Sequence, residues 1–368
     1  MKVVLAHEWI LSASGSDKVA AEIARCFNPE HDEVVVVTAA ADPAIAAALF
    51  PQCEVRTLWT DRLPGVDRHW KHYAPALLAA WSTARMPNAD LLVSSSHFAA
   101  KAAGARFDGP HVSYCYSPLR YAWRPDLEDD RLDGLSAVVG RGARPALRAW
   151  DRWSACQVDT MIAISRSIAE RIFDAYKIDA PVIHPPVDVE RFAHVVPQAN
   201  PSHYLCFGRL VGYKRVDLAV QACTAAGLPL VVAGNGPELP RLQEMAGPSI
   251  RFEQNVTDAR YLELLADSIA LLFPGEEDFG IVPVEAMAAG VPVVAYGRGG
   301  ALDTVMDGVT GVLFNEQTVV SLADAIERAG QSTFERDKFG NYAVIFGSAT
   351  FSAEFRAVAG NALAQDAV

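Results

Sequence analysis

The sequence is poor in the patterns that build disulfide or zinc scaffolds. Its six cysteines, at 26, 53, 115, 156, 206 and 223, are scattered without a CxxC pair, as expected of reduced thiols in a cytosolic protein. It has no apolar run of membrane-spanning length, and the opening MKVVLAHEW is too short for the apolar segment of a secretion signal. A cytoplasmic location follows as the expectation, with any membrane contact peripheral and at the inner face. A basic surplus is also missing. The formal net charge is −12, with 20 basic against 24 acidic residues up to Glu190 and 12 against 20 beyond it. That balance argues against nucleic acid as a partner. There is no short internal repeat, no low-complexity tract and no Asp-x-Asp pair to hold a divalent metal. The acidic stretch Leu127–Asp133 reads as a solvated loop.

What is present is alternation. The chain of 368 residues is 51% apolar and too long for one ordinary core, so it reads as two domains. Short β-rich runs, KVVLA, EVVVVT, DLLVSS, HVSYCY and TMIAIS, alternate with helix-length segments in the first half. A Pro-rich, aperiodic stretch from Pro185 to Ser202 interrupts them, and YLCFG, LVVAG, IRFEQ, ALLFPG, VVAYG and GVLF then restart the pattern. Such runs suit parallel strands buried on both faces. The expected class is α/β: a Rossmann-like domain over 1–190, a second over 191–335, and a helical segment over 336–368 returning to the first. Ligands of such sheets bind at the carboxyl ends of strands, which makes the cleft between two facing domains the natural site.

The strand ends of the second half carry the charged groups. After YLCFG, Arg209 and Lys214 lie five apart before a helix beginning near Asp217. A guanidinium fork and a mobile ammonium suit a diphosphate, and a solvated basic turn is the alternative. The Gly297–Gly300 loop would let a ligand approach backbone. In GEEDFGIVPVEAMAAG, Gly275 to Gly290, a helix is expected over Val284–Ala289 with Pro283 and Glu285 in its first turn. Amides around Phe279, Gly280 and Ile281 would then favour a negative group. A carboxylate beside bound phosphate would repel it, so Glu277 and Glu285 are matched to neutral sugar hydroxyls, and Glu276 is left as a solvated acid. On this reading Glu277→Gln spares the affinity for a bare nucleoside diphosphate.

These residues resemble a family. Glu277-x7-Glu285 within EDFGIVPVEAMAAGVPVVA, preceded by GRLVGYKRVDLAVQA, is similar to the retaining glycosyltransferases of family 4, which have a GT-B fold. HEWILSASGSDKVAAEIA, SSSHFAAKAAG, YCYSPLRYAW, IAISRSIAERI and HPPVDVERF extend the resemblance over nearly the whole chain, with bacterial mannosyltransferase-like members nearest. The resemblance implies two Rossmann-like domains facing across a deep cleft. It implies that Arg209 and Lys214 hold the donor diphosphate, Glu285 the ribose hydroxyls and Glu277 the donor sugar. The base would sit near Glu253–Val256, so Asn255 and Val256 join the donor residues, as does Gly15 in the first loop. GDP-sugars such as GDP-mannose are favoured as donors, with UDP- or dTDP-sugars as the alternative. No cofactor and no metal are expected, since cationic side chains and helix amides would neutralise the leaving group. The family's favoured route is front-face attack, with the departing phosphate oxygen taking the acceptor proton.

The acceptor, a glycan, a lipid-linked sugar or a small molecule, would meet His97, Tyr116 and Arg120. His97 could instead pack or cap, and Arg120 could serve an ion pair. Relatives often have histidine where this chain has Tyr116, and a phenol with an ordinary pKa near 10 would not act as a base. Arg148 and Arg152, four apart on a helix that Pro145 would begin, could meet an anionic bilayer or form an ordinary solvated face. A sugar-nucleotide epimerase and a non-catalytic nucleotide-sugar binder are the minor alternatives. The first would need acid and base groups around C2, and the second need not keep the charged set.

Overall fold

The structure, a computed structural model, describes residues 1–27, 30–125 and 135–366. It divides into two compact units, residues 1–184 with 351–368, and residues 185–350. Residues 185–190 and 336–350, given above to the first domain and to the terminal segment, therefore lie in the second unit.

The first unit is built on a six-stranded parallel sheet of order β3-β2-β1-β4-β5-β6. Its strands are β1 (Lys2–His7), β2 (Glu33–Thr38), β3 (Glu54–Thr57), β4 (Leu91–Ser96), β5 (His111–Cys115) and β6 (Thr160–Ala163). The runs EVVVVT, DLLVSS, HVSYCY and TMIAIS become strands because each is a β-branched or apolar stretch that helices bury on both faces. The edge strand β3, EVRT, is mostly exposed and carries no apolar run, which is why its sequence does not announce it. Strand β1 pairs with β2 on one side and β4 on the other, so that His7 lies opposite both Thr38 and Ser95. Trp81, Leu77 and Phe98 fill the core over one face. The last helix, Ser348–Asp366, brings Phe351 and Phe355 edge-on to Tyr114, and Phe355 also meets Phe27. Pro145 does not begin its helix; it lies inside Leu135–Ala155, where it removes one backbone donor.

The second unit repeats the plan, with order β12-β11-β10-β7-β8-β9. The strands are β7 (His203–Phe207), β8 (Leu230–Ala233), β9 (Ile250–Glu253), β10 (Ser268–Phe273), β11 (Val293–Tyr296) and β12 (Gly311–Phe314), again all parallel. A Cβ on Gly234 would lie 1.8 Å from the Gly208 oxygen, so only glycine lets the ends of β7 and β8 approach this closely. In each sheet the order reverses at one point: between β1 and β4, and between β7 and β10. Loops leaving the carboxyl ends of those strands diverge, which opens the crevice where such sheets bind ligands. In the second unit those two loops are the ones carrying Arg209, Lys214 and Glu277.

Candidate active site

Lys214 ends the short turn Gly212–Lys214 after β7, and Glu277 lies in the loop after β10. Lys214 Nζ is 2.8 Å from Glu277 Oε1, with the two side chains 16% and 19% exposed. Burial, the largest single influence, opposes the charge on Lys214, but the Glu277 carboxylate together with Tyr213 holds the ammonium above its ordinary pKa. Arg209 lies exposed on the same loop, close enough for its charge to be felt at Lys214. The two cations and the first glutamate of the spacing motif are thus one cluster.

The acidic loop is held by backbone. Gly300 N–H donates to the Glu277 carbonyl at 2.8 Å, and a Cβ on Gly300 would lie 2.1 Å from the Phe279 oxygen. The Gly297–Gly300 loop therefore uses its glycines to pack against this loop, where the sequence suggested room for a ligand. Phe279 is buried, its ring against Phe346 at 5.8 Å, so its side chain belongs to the core. Gly280 takes the left-handed φ of 88° that lets the chain turn into the helix Ile281–Ala288. That helix starts at Ile281, three residues earlier than expected. Pro283 is then its third residue and Glu285 its fifth, in the second turn. Glu276 is half-buried and in contact with neighbouring groups, so it is no freely solvated acid.

Glu285 Oε2 accepts from the Tyr261 hydroxyl at 2.9 Å. Tyr261 is buried and stacked on Phe207, the last residue of β7. Arg260, on the helix Asp258–Ala266 that follows β9, donates two bonds to Glu253 at the end of that strand, at 2.8 and 2.9 Å, and holds its carboxyl below the usual range. Asn255 adopts a left-handed φ of 52° and accepts from Asn235 Nδ2 at 3.1 Å. Asn255 is exposed and Val256 half-buried.

Gly15, His97, Tyr116 and Arg120 lie in the first unit. Gly15 opens the helix Gly15–Arg25, whose Asp17 receives two bonds from Ser14 and one contact from His7 Nε2 at 2.9 Å. A buried chain then runs from His7 Nδ1 to Ser95 Oγ at 3.1 Å and from Ser95 to the Tyr116 hydroxyl at 2.9 Å. Tyr116 in turn reaches the Ser16 carbonyl at 3.2 Å. A carbonyl only accepts, so the phenolic proton is spent on Ser16 and Ser95 donates to the phenol. Burial pushes the phenol well above its ordinary pKa, so Tyr116 is a fixed neutral group. Its hydroxyl is committed inside the unit, which the sequence, reading it as an acceptor contact, did not anticipate.

His97 packs against Trp9 edge-on at 5.0 Å, and burial pulls its pKa down to about 4, leaving it neutral near pH 7. The turn after it is set by Glu8, fully buried, whose Oε1 accepts from Ser96 and from the amides of Phe98, Ala99 and Ala100 at 2.7–2.9 Å. Arg120 begins the short helix Arg120–Trp123 and is half-buried among interacting groups. Arg148 and Arg152 are both exposed on the helix Leu135–Ala155. Both guanidiniums lie 4.9 Å from the Trp123 ring, and their Nε atoms donate to the carbonyls of Ala122 and Ala175. Lys101 and Asp151 form a fully buried ion pair of 2.7 Å, with Trp123 Nε1 and the Tyr176 hydroxyl both donating to Asp151 Oδ2. Neither its residues nor Tyr261 stand out in the sequence; a lysine amid SSSHFAAKAAG is a weak signal.

Leu127–Asp133 lies outside the described residues. Among the described residues no helix is long and apolar enough to cross a membrane, and all six cysteines are free.

Two family models match the chain almost end to end. Residues 13–191 match Glycosyltransferase Family 4, and residues 189–345 match Glycosyl transferases group 1. The chain is 31% identical over 196 residues to a glycogen synthase of Mycobacterium tuberculosis, covering 49% of this chain and 47% of that protein. It is 31% identical over 216 residues to a D-inositol 3-phosphate glycosyltransferase of Mycobacterium bovis, covering 51% of this chain and 44% of that one. The chain thus spans about half the length of these curated relatives. By fold it is similar to Anabaena HepE solved in complex with UDP, at TM-score 0.73 and 17% identity over 98% of this chain and 100% of that one. A sucrose-phosphate synthase from Thermosynechococcus elongatus also gives 0.73, at 18% identity over 99% and 100%.

Proposed function

We propose a function on one premise: the chain belongs to glycosyltransferase family 4, with the group 1 module as its second half and a GT-B fold of two Rossmann-like domains. It transfers a hexose from a nucleoside-diphosphate sugar to an acceptor hydroxyl with retention of configuration. The observation that carries this is the Lys214–Glu277 pair of 2.8 Å at the strand-order reversal of the second unit. A cation suited to the diphosphate thereby stands beside a carboxylate suited to sugar hydroxyls, which supports the reading.

Arg209 and Lys214 stabilise charge growing on the diphosphate, a role the chemistry can fill without a metal ion. Glu277 accepts from donor-sugar hydroxyls and Glu285 from the ribose. The bond from C1 to the phosphate oxygen breaks as the acceptor oxygen bonds C1 on the same face, and the acceptor proton passes to the departing phosphate oxygen. Tyr116, held neutral and already donating to Ser16, is not the base, which fits this route. His97, neutral at working pH, is suited to hydrogen-bond an acceptor hydroxyl. A GDP-sugar, GDP-mannose first, is the preferred donor. A UDP-sugar is the second reading, favoured by the HepE relative having been solved with UDP.

The test incubates the purified chain with GDP-mannose, UDP-glucose and dTDP-glucose and a panel of glycan acceptors, with and without EDTA, and follows released nucleoside diphosphate. Acceptor-dependent release from GDP-mannose in EDTA, with an axial product anomer by NMR, is the expected result. Release only after Mg²⁺ is restored would refute metal independence, and rearranged sugar nucleotide would reveal an epimerase.

A further inference from the structure

Tyr261 is placed as though its purpose were Glu285. Its ring lies face to face on Phe207, centroids 3.6 Å apart and planes 10° from parallel. Aromatic pairs favour offset or edge-on arrangements over such a sandwich, so the stack is not chosen for its own energy. The edge of Phe192, 5.8 Å away and tilted 71°, closes another side. Two aromatic neighbours thus hold the Tyr261 hydroxyl at a fixed point, 2.9 Å from Glu285 Oε2. A carboxylate only accepts, so the phenol donates. Burial, and then the charge of Glu285, push the Tyr261 pKa far up and keep that donor protonated.

We propose that Tyr261 is the positioning residue for Glu285, fixing the plane of its carboxylate so that it can receive the hydroxyls of the nucleotide ribose. The proposal rests on the ribose reading of Glu285. The elements explain why the contact needs the fold. Tyr261 comes from the helix Asp258–Ala266, Phe207 from the end of β7 and Glu285 from the helix after β10. Helix Asp258–Ala266 follows β9, at the sheet edge, so the sheet order brings together groups 54 and 24 residues distant from Tyr261 in sequence.

The test measures, by titration calorimetry, the affinities for GDP and UDP and for their 2′,3′-dideoxy counterparts in wild type, Y261F, E285Q and the double variant. Phenylalanine keeps the stack and removes only the donor, and thermal unfolding checks that the fold stands. Wild type should prefer the hydroxylated nucleotide, and E285Q should lose most of that preference. Y261F should weaken nucleotide binding about five- to twentyfold, through the same loss of preference. Y261F in the E285Q background should add nothing. If E285Q erases the preference while Y261F keeps it, the positioning role is overturned and the ribose reading stands. If E285Q keeps the preference, or neither nucleotide binds, the ribose reading falls and the proposal with it. Equal losses for hydroxylated and dideoxy nucleotides in Y261F would mark a merely structural tyrosine and also overturn it.

Discussion

Replacing Glu277 by glutamine should tighten the binding of a bare nucleoside diphosphate while crippling transfer. The pattern Glu277-x7-Glu285 by itself implies no change in that affinity, because the nucleotide carries no hexose. The ion pair alters the expectation. A diphosphate that reaches Lys214 meets an ammonium already 2.8 Å from a carboxylate. With the phosphate about 4 Å beyond that ammonium, the two anions lie ~7 Å apart. Their repulsion is then about 0.6 kcal/mol at water's dielectric constant and about 2.4 kcal/mol at an effective value near 20. Glutamine has nearly the same shape and removes the charge, so affinity should rise about three- to fiftyfold. Transfer moves the other way. Charge-assisted bonds to the sugar, worth ~1.5–3 kcal/mol, are weakened, and turnover should fall about ten- to a hundredfold or more. Calorimetry with GDP and UDP and a turnover assay with the competent donor read the two effects separately. Unchanged or weaker nucleotide affinity in Glu277→Gln would show that the pair does not compete with the diphosphate. Turnover near that of wild type would remove Glu277 from the sugar site.

The remaining predictions concern the cations and the buried groups. Arg209→Ala and Lys214→Ala should each cost ~10²–10³ in turnover. Only Lys214→Ala should also lower the melting temperature, because it strands the mostly buried Glu277 while Arg209 is exposed; equal melting curves would contradict this. Lys101→Met should destabilise the protein by about 3–5 kcal/mol, since it leaves Asp151 charged and buried without its cation. Denaturant unfolding checks this, and a loss below 1 kcal/mol would refute it. His111 and His97 are both pulled down to about pKa 4 by burial, below the ~6.5 of an unfolded chain, so the folded form binds fewer protons between those values. Stability should therefore hold above about pH 6.5 and fall toward pH 4, by up to ~1.4 kcal/mol per unit for each histidine. His111→Gln should flatten that slope in unfolding measured at several pH values, and an unaltered slope would count against burial as its cause.

The class of fold was legible in the chain itself because it depends on local pattern. Runs such as EVVVVT and SIALLF are short, apolar and without a polar face, which suits strands covered on both sides, and their alternation with helix-length segments points to parallel sheets. The charged set Arg209, Lys214, Glu277 and Glu285 was legible for a related reason: charges placed just beyond apolar strands have no role in a core. What sequence could not decide was the partner of each group. Pattern placed Glu277 and Lys214 on separate loops, and only the adjacency of β7 and β10, strands separated by two others in the chain, makes them an ion pair. The helix after β10 starts at Ile281 rather than Val284 because Gly280 turns left-handed there under the packing of Gly300 on Phe279, a tertiary contact. Tyr116 looked like a group aimed at substrate until β4 and the first helix supplied Ser95 and Ser16 to occupy it. Arg148 and Arg152 read as a pair of free surface charges, and only the fold shows that both stack on Trp123 while staying exposed. Periodicity and charge are properties of neighbours along the chain, so they survive in the sequence. Pairing of buried polar groups is set by strand order, and only the folded sheet decides it.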